Sequence, residues 1–411
     1  MLNCFCGGGY DGPAPDFAAG EPEDEFRVMA EGIAGLALLI WIYLLCARGA
    51  FWLGTERDAW EPARVAAWPR VAAVVPARNE AELIDASIGS LVQQDYPGAW
   101  TVILVDDDSS DATAEIARRV AGTDNDRLRI VTSKALPVGW TGKLWAVKQG
   151  IDAALAQPAP PDYLLLTDAD IVHAPDSVRR IVTHAQANGL ALASLMVKLR
   201  CESLAERANI PAFIFFFQML YPFSWVNRPR STVAAAAGGC MLVRTDALTK
   251  AGGIEVIRNA LIDDCALAKA LKAHGPIWLG LTERVRSIRP YPAFADIRRM
   301  VIRSAYAQLR YSPLLLAGTV AGMVLTYLVP PLMAIFGSGI ARALGLAAWL
   351  MMAIAFQPTL RFYRLSPLWG IMLPVIALQY LIFTLDSAYQ YVRGRGGTWK
   401  GRIQANVSGP R

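Results

Sequence analysis

The sequence predicts an α/β domain built on a mostly parallel sheet and flanked by transmembrane helices. Three observations carry this expectation. Between Val71 and Thr167 short apolar runs alternate with helix-patterned segments, as in βαβ units with right-handed crossovers. The runs end in polar or acidic residues, where open α/β sheets bind ligands. Apolar residues also gather near the amino terminus and over roughly the last hundred residues. The 411 residues are 54% hydrophobic with a mean hydropathy of +0.31, above the roughly 45–50% of soluble domains.

The net charge of +5 is small. Its Lys and Arg residues are scattered or lie beside apolar segments, which suits a membrane surface and argues against a nucleic-acid partner. The six cysteines, Cys4, Cys6, Cys46, Cys201, Cys240 and Cys265, form no Cys-x-x-Cys pair. Neither a disulfide framework nor a zinc site is expected, and the central domain belongs in a reducing compartment.

Residues 1–25 are rich in Gly, Pro, Asp and Glu without periodicity and read as a disordered tail. Met29 is a candidate alternative start, which the intact mass of the native protein would decide. Residues 28–48 form a transmembrane anchor. The run is apolar apart from Glu31, and Trp41, Tyr43, Arg48 and Trp52 mark its cytoplasmic end. A signal peptide would carry a basic leader and a small-residue cleavage site.

The soluble domain is expected over 68–304. Val71 to Val75 is a buried strand, and Pro76-Ala77-Arg78-Asn79-Glu80 leads into a helix with Leu83, Ile84, Ser87, Ile88, Leu91 and Val92 on one face. Thr101 to Val105 is a second strand, entering Asp106-Asp107-Asp108-Ser109-Ser110-Asp111, with a helix from about Ala112 to Val120. Leu128 to Val131 is a third strand. Gly139-Trp140-Thr141-Gly142-Lys143 opens the next helix, and Lys143 is placed either to reach a phosphate or simply to stand in solvent.

Tyr163 to Thr167 is the fourth strand, followed by Asp168-Ala169-Asp170. If the strand continues, the two carboxylates share a face; if it turns, they still lie close enough to hold one divalent ion. Residues 204–226, with Phe213, Phe215, Phe216, Phe217, Tyr221, Phe223 and Trp225, suit either an interfacial helix or a core helix. Ala234 to Val243 reads as a strand broken by Gly238-Gly239. Asp263-Asp264 opens a further helix, as caps or as a catalytic base.

Residues 312–389 hold about three transmembrane helices, with candidates at Leu314–Phe336 (interrupted by Pro330-Pro331), Ile340–Phe356 and Leu368–Leu385. Residues 390–411 form a basic tail. Arg361 and Arg364, before the last candidate, and Arg393, Arg395, Lys400 and Arg402, after it, all read as cytoplasmic. Both sets fit one side only if a segment is re-entrant or the charge rule fails here.

Taken in order, Val105-Asp106-Asp107-Asp108-Ser109-Ser110-Asp111, Asp168-Ala169-Asp170 and Asp263-Asp264 resemble the acidic motifs of family 2 glycosyltransferases of the Rossmann-like GT-A fold, over roughly Val71 to Ser304. The flanking apolar segments resemble the ceramide glucosyltransferase-like membrane branch. Val74 to Glu80, Gly139 to Ala146 and Ala305 to Ser312 resemble most the hopene-associated glycosyltransferases of bacterial hopanoid biosynthesis.

The resemblance implies that Pro76, Ala77, Glu80 and Asp107 line the nucleoside pocket, with Lys143 near the diphosphate. It implies that Asp168 contacts the ribose or a metal-bound water, that Asp170 ligates Mg²⁺ or Mn²⁺, and that Asp264 is the general base beside Asp263. Where relatives carry Gln-x-x-Arg-Trp, this chain has Met300-Val301-Ile302-Arg303-Ser304, so only Arg303 remains to steady the diphosphate. That departure argues against processive polymer synthesis. The expected enzyme moves sugar from a nucleoside diphosphate sugar, UDP-linked by resemblance, to a lipid acceptor at the bilayer. It sits in the inner (cytoplasmic) membrane as a multi-pass protein with its domain facing the cytoplasm. Transfer to polyprenyl phosphate or polysaccharide, or a non-catalytic scaffold of the same fold, are the alternatives.

Overall fold

A computed structural model describes residues 22–60, 65, 67–122, 126–394, 398–399 and 402–403. The expected tail lies outside them over residues 1–21, as does most of the basic tail beyond Gly394.

The strands of the main sheet are β1 (Val71–Ala77), β2 (Trp100–Asp106), β3 (Leu128–Thr132), β4 (Tyr163–Leu166), β5 (Ile171–His173), β6 (Leu192–Lys198), β7 (Met241–Arg244) and β8 (Ile277–Ser287). They form one sheet in the order β3-β2-β1-β4-β7-β6-β8-β5. β1 pairs in parallel with β2 and β4, β2 with β3, and β6 with β8. β7 runs antiparallel between β4 and β6, and β5 antiparallel to β8.

Alternation along the strands divides the core into two layers. Val71, Ala73 and Val75 of β1 face the helices Ile84–Val92 and Ser177–Ala187. Ala72 and Val74 face the helix Gly142–Leu155. That helix lies so close to the sheet that a Cβ on Gly150 would sit 2.4 Å from Val74 Cγ1 and 2.9 Å from Val105 Cγ2. The first helix buries Ile84, Ser87, Ile88, Leu91 and Val92, the face read from its spacing.

The aromatic segment forms a helix, Leu204–Leu220, closed at its start by a Ser203–Glu206 capping box. It is a core helix. Phe215 is fully buried against Phe51 and Phe356, and Phe216 packs on Tyr327 and Tyr380. The second hydrophobic layer therefore runs without a break from the sheet into the apolar helices.

Three helices among the described residues are long and apolar enough to cross a membrane: Asp24–Cys46, Pro313–Phe336 and Gly339–Phe362. A π-helical turn, Val324–Leu328, precedes Pro330-Pro331, where the missing proline N–H groups disturb the regular ladder. The carboxyl ends of the first and third helices meet the α/β domain. Arg48 donates to the carbonyls of Met219 and Leu220, and Lys198 lies over the ring of Phe362.

The last candidate span differs from expectation. Its helix begins later and runs Leu373–Val392, and it is not among the three long apolar helices. From Phe362 the chain doubles back along its own helix, where Trp349 Nε1 donates to the carbonyl of Ile371. That retreat covers thirteen helical residues, about 20 Å. The final helix then returns to the domain, where Asp386 pairs with Arg298 and Ser387 Oγ donates to the carbonyl of Ile302.

Candidate active site

The site forms at the carboxyl ends of β1, β2 and β4, where the loops must supply partners for side chains rather than for a ladder. β1 ends at Ala77, and the chain turns through Asn79, whose φ of 51° is left-handed. Glu80 is 8% exposed, and both its oxygens accept from Arg289 Nη2 at 2.7 and 2.8 Å. Asp107 is fully buried, with its Oδ2 3.8 Å from Arg78 Nη1. Pro76 and Ala77 sit at the strand end, and Pro76 lines a pocket with Lys143, Thr167, Asp168, Gly238 and Asp263.

β4 stops at Leu166 rather than continuing to Asp170. The chain turns, with Ile171 N donating to the carbonyl of Asp168. Each carboxylate then meets its own cation. Asp168 lies 2.9 Å from Lys143 Nζ, while Asp170 accepts from Arg289 Nε and Ser287 Oγ, both at 3.0 Å. Thr141 caps the helix that presents Lys143, and Lys143 Nζ also lies 3.2 Å from Asp263. Burial lowers the Lys143 pKa, but Asp168 and Asp263 raise it by more, so the ammonium stays protonated. Burial and the neighbouring Asp170 push the Asp168 carboxyl upward against the pull of Lys143.

Asp264 sits in the first turn of the helix Asp263–Lys272 and accepts from Gly238 N at 3.0 Å and Cys265 N at 2.7 Å. Burial, then the Asp263 carboxylate, raise its pKa to about 6, with Lys143 opposing. A carboxyl titrating near neutrality has a pKa that suits a general base. Ala234 to Gly239 is not a strand, contrary to expectation, because its donors are claimed by side chains. Ala237 N donates to Ser194 Oγ and Gly238 N to Asp264.

Arg303 is exposed just beyond the helix Phe294–Ile302, with no ion pair among the described residues. It reaches the site electrostatically through Tyr291, whose phenol also feels Asp170, Arg289 and Asp168. Sequence reasoning missed Arg289 and Tyr291. Ser287, the last residue of β8, then Arg289 and Tyr291 recur at every second residue, the alternation that would have flagged them.

Among the described residues no three or more His, Cys, Asp or Glu side chains are grouped so as to hold a metal ion by themselves. Asp168 and Asp170 are the acidic pair of the right type for a magnesium or manganese ion, but each is already paired, with Lys143 and with Arg289, so an ion between them would have to displace or share those partners.

The glycosyl transferase family 2 model matches residues 72–252, and the glycosyl transferase family group 2 model matches residues 163–385. The dodecaprenyl-phosphate galacturonate synthase of Rhizobium johnstonii is 32% identical over 146 residues, covering 34% of this chain and 39% of that protein. The 4,4'-diaponeurosporenoate glycosyltransferase of Staphylococcus aureus is 31% identical over 117 residues, 28% of each chain. The chain thus spans at most 39% of the length of these two relatives. Among solved structures, a mannosyltransferase from Pyrobaculum calidifontis in complex with GDP-Man and Mn²⁺ has a TM-score of 0.53 at 20% identity, covering 88% of this chain and 99% of that one.

Proposed function

The chain belongs to glycosyl transferase family group 2, and on that premise we propose that it is a membrane-bound inverting enzyme that transfers sugar from a UDP-sugar to a hydroxyl of a membrane lipid in hopanoid biosynthesis. The observation that carries the reading is Asp264. Its buried carboxyl is raised to about 6 within electrostatic reach of Lys143, in a domain whose core continues into apolar helices. With one base and no second carboxylate placed as a nucleophile, direct displacement with inversion is the simplest course. Asp264 takes the acceptor proton, and Lys143 and Arg303 offset charge gathering on the leaving diphosphate.

Asp168 and Asp170 would hold Mg²⁺ or Mn²⁺, which supplies further neutralisation of the diphosphate when bound. Arg289 keeps Asp170 and Glu80 compensated meanwhile. Pro76, Ala77, Glu80 and Asp107 line the nucleoside side. Arg78 beside Asp107 has to move aside if that carboxylate is to hold the base.

The protein crosses the inner membrane three times, through the helices ending at Cys46, Phe336 and Phe362. Residues 363–372 form a re-entrant turn. Arg48, Arg361, Arg364 and Arg393 then all lie on the domain side, which the charge rule makes cytoplasmic. The resemblance of Val74–Glu80, Gly139–Ala146 and Ala305–Ser312 to hopene-associated enzymes supports the hopanoid assignment. A polyprenyl-phosphate acceptor is the second reading, favoured by the name of the Rhizobium relative. Lipid extracts of a deletion strain decide between them. Loss of glycosylated hopanoids is expected; unchanged hopanoids with a missing polyprenyl-linked sugar would favour the second reading.

A further inference from the structure

Beyond Asp264 the polar lining changes character. The next residue, Cys265, donates its thiol to the carbonyl of Ala236 at 3.8 Å and lies within electrostatic reach of the phenol of Tyr221. Gln308 Nε2 donates to the same phenol oxygen. The Asp264 carboxylate is close enough to act on Tyr221 electrostatically. Tyr221 thus links the helix that carries the base to the segment that leads into the membrane.

The surroundings of Tyr221 are the membrane helices. Arg48, at the end of the first span, donates to Met219 and Leu220. Tyr327, in the second span, donates to Met219 Sδ at 3.2 Å. Ser312, just after Gln308, caps that same span, and beyond it Leu314 is 80% exposed. Gln308 thus sets Tyr221 beside the domain end of this span.

Of the nearby cations, Arg48 is turned to the carbonyls of Met219 and Leu220, and Arg303 is exposed beyond its helix. Lys143 is committed to Asp168 and Asp263, and Arg289 to Asp170 and Glu80. Around Tyr221 the partners are a phenol, an amide and a thiol, all neutral. Burial raises the phenol pKa to about 12, so it remains a donor throughout the working range. A phosphate arriving here meets the Asp264 carboxylate while Lys143 and Arg289 are already paired with other carboxylates, and its oxygen is already anionic and needs no base. A neutral alcohol can donate its proton to Asp264 while accepting from Tyr221 or Gln308.

Resting on the lipid-acceptor reading, we propose that Tyr221 and Gln308 are the docking pair for the acceptor and select a neutral lipid alcohol over a lipid phosphate. The alcohol oxygen forms its bond to the anomeric carbon as the bond from that carbon to the diphosphate oxygen breaks. Its proton passes to Asp264, and the electron pair leaves with the diphosphate.

The test uses the full-length protein in detergent with Tyr221→Phe and Gln308→Ala. Tyr221→Phe keeps the ring that packs on Phe217 at 5.2 Å. Acceptor KM and kcat are measured with a hopanoid polyol and with undecaprenyl phosphate, alongside donor hydrolysis without lipid. Each variant raises the polyol KM roughly 3- to 10-fold, the effect of one lost hydrogen bond. Donor KM and lipid-free hydrolysis stay within about twofold, which general misfolding would not allow. Wild type uses the polyol in preference to the phosphate. Polyol transfer with unchanged KM in both variants overturns the docking pair and leaves the lipid reading standing. Wild-type preference for undecaprenyl phosphate overturns the selectivity. No transfer to either lipid removes the lipid reading and this inference together.

Discussion

Replacing Asp264 with Asn should make the protein less active and, above neutral pH, more stable. The carboxyl pKa is about 6 against an ordinary 3.8, because burial and Asp263 disfavour its charge. That difference corresponds to on the order of 3 kcal/mol, borne by the folded state whenever the group is ionised. The sign follows from linkage. A carboxyl with a raised folded-state pKa stabilises the fold in acid, and that contribution is lost as pH rises through about 6. Asn removes the charge but has one carbonyl oxygen where Asp264 accepts from two backbone N–H groups, Gly238 and Cys265. Losing one of those bonds costs about 1 kcal/mol. The net expectation is a gain of about 1–2 kcal/mol near pH 8, disappearing near about pH 4. Transfer falls by roughly 10²–10⁴, the usual worth of a positioned base. Thermal midpoints in detergent at the two pH values, with transfer rates alongside, give both quantities. A variant as active as wild type, or equally destabilised at both pH values, would refute the assignment of Asp264 as a desolvated base.

Lys143→Met takes the cation from between Asp168 and Asp263, at 2.9 and 3.2 Å, so the acid limb of the pH–rate profile should move above about 6; an unmoved limb contradicts the pairing. Asp170→Ala should abolish the metal dependence of donor binding measured by calorimetry, and wild-type binding indifferent to EDTA would end the metal role. Gly150→Ala should lower the thermal midpoint although alanine is the better helix former, because its Cβ falls 2.4 Å from Val74 Cγ1. The overpacking is worth about 1–3 kcal/mol, and an unchanged or higher midpoint would show that the helix shifts freely.

The features set by local chemistry were legible in the sequence. β1 and β2 are continuous apolar runs that only a strand buried on both faces explains, and the helix after β1 buries the residues its spacing marked. Features set by long-range pairing were not legible. β7 runs antiparallel between β4 and β6, and three apolar residues and an arginine carry no direction. Ala234 to Gly239 has strand composition, but Ser194 and Asp264 take its donors. Lys143 on sequence alone was equally a solvated helix start; only the fold brings Asp168 and Asp263, remote in sequence, to its ammonium. Arg289 follows a long strand with no acidic neighbour in sequence, and its partners Glu80 and Asp170 arrive from two other loops. The retreat of residues 363–372 along their own helix likewise could not be read from hydropathy, which records length and composition but not path.

The most direct test of the central claim is nucleoside diphosphate release by the purified protein in detergent, with Mn²⁺ or Mg²⁺, across UDP- and GDP-sugars, with and without bacterial lipid extract. Metal-dependent release that rises with lipid, and most with one UDP-sugar, is the predicted result. Silence across the panel from folded protein, or release that lipid leaves unchanged, would contradict a lipid glycosyltransferase.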